Sequence, residues 1–124
     1  MIFGIGTDIT KISRFEKWVT NPEMMSRFFN EKEYSESGTV AARCEHAAAR
    51  FAAKEAFSKA LGTGLCGFSL KEVYVTNDKN GKPLLNVEGA ALELLKKTCG
   101  ECSIHLSLSH EKEYAVAFVV IECL

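Results

Sequence analysis

Apolar and polar positions follow three rhythms along this chain, and each rhythm predicts its own kind of element. Residues 2–9 form a short apolar run that reads as a first strand. Ile2, Phe3, Ile5 and Ile9 are assigned to burial, and Gly4 and Gly6 permit close backbone approach. Over residues 11–34 apolar side chains recur three and four apart, at Ile12, Phe15, Trp18, Val19, Met25, Phe28 and Phe29. That spacing predicts one or two amphipathic helices, broken at Asn21-Pro22. Ser35-Glu-Ser-Gly38 is a loop. Residues 40–61 then combine alanines, charged residues and two phenylalanines with no proline or internal glycine, and Gly62 stands where such a helix ends.

The second half mostly alternates. Residues 72–76 read as a strand, Asn77-Asp-Lys-Asn-Gly81 as a turn, and residues 83–87 as the returning strand of a hairpin. A short helix follows over residues 90–97, with lysines in its last turn and Gly100 beyond it. Ser103 to Ser109 alternates strictly, so Ile104, Leu106 and Leu108 share one face and Ser103, His105, Ser107 and Ser109 the other. Residues 114–121 are almost uninterruptedly apolar, which predicts a central strand covered on both faces.

With 124 residues, 47% hydrophobic and 25% charged, the chain fits one domain over residues 1–124. A net charge of -1 supplies no general attraction to nucleic acid or to an anionic membrane. No apolar run reaches the roughly 18 residues needed to span a bilayer. The N-terminus lacks the basic start of a signal peptide, so the expected location is the cytoplasm. Five scattered cysteines fit reduced thiols there. Cys99 and Cys102 form a CxxC that, with His105 and His110, counts four potential zinc ligands; the simpler reading is a turn with two small side chains.

Candidate chemistry gathers on the long helix. Positions 48, 51, 52, 55 and 59 fall on one side, which places Glu55 and Lys59 beside Ala48, Phe51 and Ala52. These two charges form either an ordinary exposed i,i+4 pair or part of a site that the small alanines leave open to another element. Asp8 is likewise either a cap or turn former for the next element or a ligand for a hard cation. Gly62-Thr-Gly64 can end the helix or wrap a phosphate, but no Walker lysine follows. Gly4-Ile-Gly6 is not a dinucleotide fingerprint, because Ile9 stands where the third glycine belongs. No Gly-x-Ser-x-Gly elbow presents a nucleophile. Residues 11–32 hold five basic and three acidic residues, and Arg14 and Arg27 beside Trp18 and Met24 suit an acidic partner helix.

Four blocks taken in order carry a resemblance. They are Gly4-Ile-Gly-Thr-Asp8-Ile with Arg14; Arg50-Phe-Ala-Ala-Lys-Glu55-Ala-Phe-Ser-Lys59-Ala with Gly62-Thr-Gly64; Asn80-Gly-Lys-Pro83; and His105-Leu-Ser-Leu-Ser-His110. Together they resemble the small bacterial 4'-phosphopantetheinyl transferases of the holo-acyl carrier protein synthase type, from residue 2 to about residue 122. The resemblance implies an α+β fold, a small antiparallel sheet packed against helices. It implies transfer of the 4'-phosphopantetheine arm of coenzyme A to a serine of apo-acyl carrier protein, releasing adenosine 3',5'-bisphosphate, in fatty acid biosynthesis. It makes Asp8 and Glu55 the ligands of a Mg2+ ion, and Asp8, Glu55 and Lys59 the catalytic set. It assigns Arg50, Lys59, Gly62, Gly64, Asn80, Lys82, Pro83 and His105 to coenzyme A. Arg14 and the basic face after it would meet the acyl carrier protein. It also implies a homotrimer with active sites at subunit interfaces. Whether Glu55 or a water held by Asp8 takes the serine proton stays open at this level.

Overall fold

A computed structural model describes residues 1–124. Its central element is the helix α3, Val40–Leu61, which the alanine-rich composition predicts and both ends confirm. The Thr39 hydroxyl accepts from the Ala42 amide at the start, and Gly62 ends the helix in the left-handed region at φ 86°. Three antiparallel strands lie against it in the order β1 (Ile2–Lys11), β5 (Tyr114–Cys123) and β4 (Cys102–His110). Before α3 come the short helices α1 (Glu16–Val19) and α2 (Pro22–Phe28), the latter capped by the Asn21 side chain with Pro22 in its first turn. A hairpin of β2 (Val73–Asn77) and β3 (Pro83–Val87) and the helix α4 (Gly89–Cys99) complete the α+β arrangement.

Two apolar clusters share α3. One joins Ala52, Ala53, Ala56 and Phe57 to Val73 and Val75 of the hairpin, to Leu95 of α4, and to Ala117, Val119 and Ile121 of β5. The other places Phe15, Val19, Met25 and Phe29 against Cys44, Ala47, Ala48 and Phe51. The helix is therefore covered on several sides, and its small residues decide what comes nearest.

On β1 the expected burial is inverted. Ile5 and Ile9 are 61% and 64% exposed, and Ile2 and Phe3 are exposed as well, whereas Gly4 and Gly6 face α3. The cause is steric. A Cβ on Gly4 would fall inside contact distance of the Ala60 carbonyl oxygen, and one on Gly6 inside that of the Ala56 oxygen. Strand and helix touch backbone to backbone, so bulky side chains can occupy only the other face. Gly6→Ala is accordingly expected to lower stability by about 3 kcal/mol, measured by urea unfolding, because the obstructing atoms are backbone and cannot rotate away.

The strand β5 is central, as expected, but covered on one face only. Ala115, Ala117, Val119 and Ile121 are fully buried, while Phe118 is 43% exposed. Register places Ile5, Val120 and His105 in one outward row, Thr7, Phe118 and Ser107 in the next, and Ile9, Val116 and Ser109 in a third. The helices pack against the opposite face, and no element of the same chain lies over these rows.

Candidate active site

Gly6 meets α3 at Ala56 and Gly4 meets it at Ala60, so strand and helix run in opposite directions. Two residues of strand and four of helix each advance about 6 to 7 Å. One further step brings Asp8 level with the turn that carries Ala52 and Glu55. Asp8 caps nothing, because β1 continues to Lys11 and the short 3-10 turn Ile12–Phe15 begins only after it. Its Oδ2 accepts from the Thr10 hydroxyl at 2.9 Å, and its Oδ1 from Lys59 Nζ at 3.2 Å. Lys59 Nζ also donates to the Thr7 carbonyl at 3.0 Å. Lys59 thus crosses to β1 and does not form the local pair with Glu55.

Glu55 has its carboxyl pKa raised, first by burial and then by the charge of Asp8, with Lys59 and Arg14 opposing. Two acids close enough to repel each other, with lone pairs remaining on both, suit a divalent cation. No group of three or more His, Cys, Asp or Glu side chains is arranged to hold a metal ion. A pair of carboxylates is the donor set that Mg2+ uses when water and substrate phosphate supply the rest, so the residues fit that ion. Arg14 lies over the rings of Trp18 and Phe51, 4.9 Å from the latter's centroid, at the edge of this site.

Arg50 belongs to a different face of α3. Five residues separate it from Glu55, about 140° around the helix. Its Nη2 donates to Asn77 Oδ1 at 3.2 Å, and its buried Nε has no partner. With Lys32, Tyr34, His46 and Asn77 it lines a cavity of about 370 Å³. Burial, and then Arg50, hold the His46 pKa below its usual range. Asn77 also donates to the Gly81 carbonyl, while Asp78 Oδ1 accepts from the Asn80 and Lys82 amides at 2.8 and 2.9 Å. Arg50 is in this way tied to the turn that presents Asn80, Lys82 and Pro83. Gly62 and Gly64 both have positive φ and form an open turn at the end of α3.

His105 stands apart from both groups. It is on the outward sheet face, where its Nε2 meets Glu122 Oε1 at 3.0 Å. One chain therefore assembles Asp8, Glu55 and Lys59, gathers Arg50 with the hairpin turn elsewhere, and leaves His105 across the sheet. The four-ligand zinc arrangement is not formed. His105 is engaged with Glu122, and His110 lies 4.0 Å from Glu45. The Cys99 thiol is pushed up to about 11, by burial first and then by Cys102 and Cys123, and all five cysteines are free.

Sequence reasoning gave no role to Lys54 or Glu33. Lys54 is completely buried and donates to Glu33 Oε2 at 2.5 Å, to the Val73 carbonyl at 2.6 Å and to the Leu70 carbonyl at 2.9 Å. Glu33 accepts in addition from the Asn30 and Val75 amides. The pair fastens α3 to β2 and to the turn after α2. Its one local signal was a lysine among the alanines of a helix with little exposed surface.

Comparison with known proteins agrees with this architecture. Residues 4–119 match the 4'-phosphopantetheinyl transferase superfamily. The holo-[acyl-carrier-protein] synthase of Treponema denticola is 53% identical over 124 residues, covering 98% of this chain and 99% of its own. That of Treponema pallidum is 46% identical over 122 residues, covering 98% and 97%. A crystal structure of the Bacillus anthracis holo-(acyl-carrier-protein) synthase in complex with CoA (3',5'-ADP) aligns with a TM-score of 0.82 at 40% identity, covering 100% of this chain and 99% of that one. The Helicobacter pylori synthase in complex with coenzyme A aligns with a TM-score of 0.74 at 28% identity, covering 95% and 99%.

Proposed function

The chain belongs to the 4'-phosphopantetheinyl transferase superfamily, and on that premise we propose that it transfers the 4'-phosphopantetheine arm of coenzyme A to a serine of apo-acyl carrier protein. The observation that carries this reading is the meeting of Asp8, Glu55 and Lys59 where β1 crosses α3. The serine oxygen attacks the phosphorus that bears the pantetheine arm. The bond from that phosphorus to the oxygen of the leaving nucleotide breaks, and adenosine 3',5'-bisphosphate departs. The coenzyme A complexes of the Bacillus anthracis and Helicobacter pylori proteins support the donor.

Asp8 and Glu55 would hold Mg2+. When bound, the ion supplies positive charge to neutralise the pyrophosphate as that bond breaks. Lys59, on a flexible stem at the rim, is placed to donate to the phosphoryl oxygens. The serine proton goes to Glu55 or to a water held by Asp8. Arg50, Gly62, Gly64, Asn80, Lys82 and Pro83 would bind coenzyme A, with Arg50 and Lys82 toward its 3'-phosphate. Lys82→Ala should then raise KM for coenzyme A more than for dephospho-coenzyme A in parallel steady-state assays; equal changes would put Lys82 elsewhere. Arg14, fixed over its aromatic neighbours, would face the acidic carrier protein and speed encounter.

We propose that residues 1–124 act as one domain within a homotrimer whose active sites lie between subunits. Support comes from the uncovered rows of Ile5, Ile9, Val116, Phe118 and Val120, an apolar surface that a second copy would bury. A neighbouring subunit would also give His105 a route to a coenzyme A pocket that its own chain denies it. Sedimentation should give three times the chain mass, and a monomer at working concentration would sink this assignment. The cytoplasm, where the thiols stay reduced, is the proposed location, and carrier activation for fatty acid biosynthesis the proposed role.

Intact mass of an apo-acyl carrier protein, incubated with this chain, coenzyme A and MgCl2, tests the activity directly. A gain of about 340 Da that disappears with EDTA is expected. No gain on several carrier proteins, despite coenzyme A binding, would leave a binding module and overturn the transferase.

A further inference from the structure

The ammonium of Lys59 does not pair with Glu55 along its own helix. It bridges to β1, where it holds Asp8 Oδ1 and the Thr7 carbonyl oxygen together. Asp8 is largely enclosed, with its side chain 17% exposed, and its second oxygen is already engaged by Thr10. A carboxylate so enclosed needs a positive neighbour, and Lys59 is its ion-pair partner. The Lys59 side chain is 55% exposed and flexible, so it can leave without rearranging the backbone.

We propose that Lys59 is a resident counter-ion at Asp8 that a divalent cation must displace, and that the anionic pyrophosphate of coenzyme A promotes this exchange by accepting the released ammonium. This rests on Asp8 and Glu55 being the cation ligands. Two cations cannot share Asp8 without mutual repulsion, so Lys59 weakens cation binding while it stays on Asp8. Once it has swung to the pyrophosphate, that repulsion falls and the ion is held more tightly. Cation and coenzyme A therefore bind with positive coupling, and by linkage each raises the affinity of the other by the same factor. Lys59 gains a role before any bond is made, in setting which ligands enter the site together.

The probe is Mn2+, its free fraction read from its electron paramagnetic resonance signal in titrations of the full chain. Measurements are made with and without saturating coenzyme A and corrected for Mn2+ held by coenzyme A alone. Without coenzyme A, Lys59→Met is expected to bind Mn2+ about tenfold more tightly than the wild type, a difference of about 1.4 kcal/mol. Lys59→Arg, which keeps the charge, should stay near the wild type. Coenzyme A should raise wild-type Mn2+ affinity by about fivefold or more, and that of Lys59→Met by clearly less. Equal or weaker Mn2+ binding by Lys59→Met overturns the counter-ion role, as does equal coupling in the two proteins. Asp8→Asn separates this idea from the one beneath it. Mn2+ binding that survives Asp8→Asn removes the cation site itself, whereas binding lost there but unchanged in Lys59→Met removes only the counter-ion role.

Discussion

Glu55→Gln is expected to reduce phosphopantetheine transfer by about a thousandfold or more while leaving the fold essentially intact. The substitution keeps the volume of the side chain at the β1–α3 crossing and removes one of the two charges that would hold the cation. It also removes the candidate base for the serine proton. Stability should not suffer, because the native carboxyl is disfavoured by its surroundings: burial and the charge of Asp8 both raise its pKa. A neutral amide relieves both. Turnover measured at saturating coenzyme A and carrier protein, beside a thermal unfolding curve, checks the two halves of this expectation. Near-normal turnover would remove Glu55 from the site.

The same carboxyl sets a pH response. Since its pKa lies above the ordinary 4.5, protons begin to compete with the cation at a higher pH than they would for an exposed glutamate. As pH falls toward that raised value, the metal concentration needed for half-maximal activity should increase, and added metal should restore the rate. For the fold alone the sign is opposite: ionising Glu55 costs stability as pH rises through the folded pKa, and protonation below it recovers that stability.

Lys54→Ala is expected to destabilise the protein by about 3 to 5 kcal/mol, read from the midpoint of urea unfolding at unchanged slope. Lys54 supplies three hydrogen bonds from a site with no exposed surface, and its loss strands the Glu33 carboxylate and the Leu70 and Val73 carbonyls together. Burial lowers the Lys54 pKa and raises that of Glu33, and each ion opposes the shift of the other, so the two are tolerable only as a pair. Replacing both by apolar residues should not be neutral either, because the Val75 amide would still lose its acceptor. A cost below about 1 kcal/mol for Lys54→Ala would mean that water reaches the site when the ammonium is gone.

Local pattern revealed most of the elements because their signals are local: the Gly62 end of α3, the Asn21-Pro22 break, the hairpin turn and the alternation of β4 each lie within a few residues. It failed where the deciding contact is distant. Apolar residues on β1 were assigned to the covered face, but that face is closed by the carbonyls of Ala56 and Ala60, about fifty residues away in sequence. The apolar run of β5 signals two faces that avoid water, without saying that the same chain covers only one. The spacing of Glu55 and Lys59 left a local pair and a site both open, and the partner that decides between them is Asp8, 51 positions away from Lys59. Glu33 carries no signal at all until the chain brings Lys54, 21 residues on, against it. The resemblance placed Asp8, Glu55 and Lys59 together. By themselves the residues left Asp8 as cap or ligand and Glu55 with Lys59 as local pair or site, because what separates these readings is the distant β1–α3 crossing.

At Gly4 and Gly6 no layer of side chains separates β1 from α3, and glycine meets the backbone of Ala56 and Ala60 directly. The separation of the two acids is therefore a backbone dimension with no adjustable filler. Substitutions in the apolar interior elsewhere change how long the fold lasts, but not how far apart Asp8 and Glu55 stand. Durability and catalytic geometry can then drift independently through most of the sequence. They are locked to one another at Gly4 and Gly6, where a single added methyl group alters both at once.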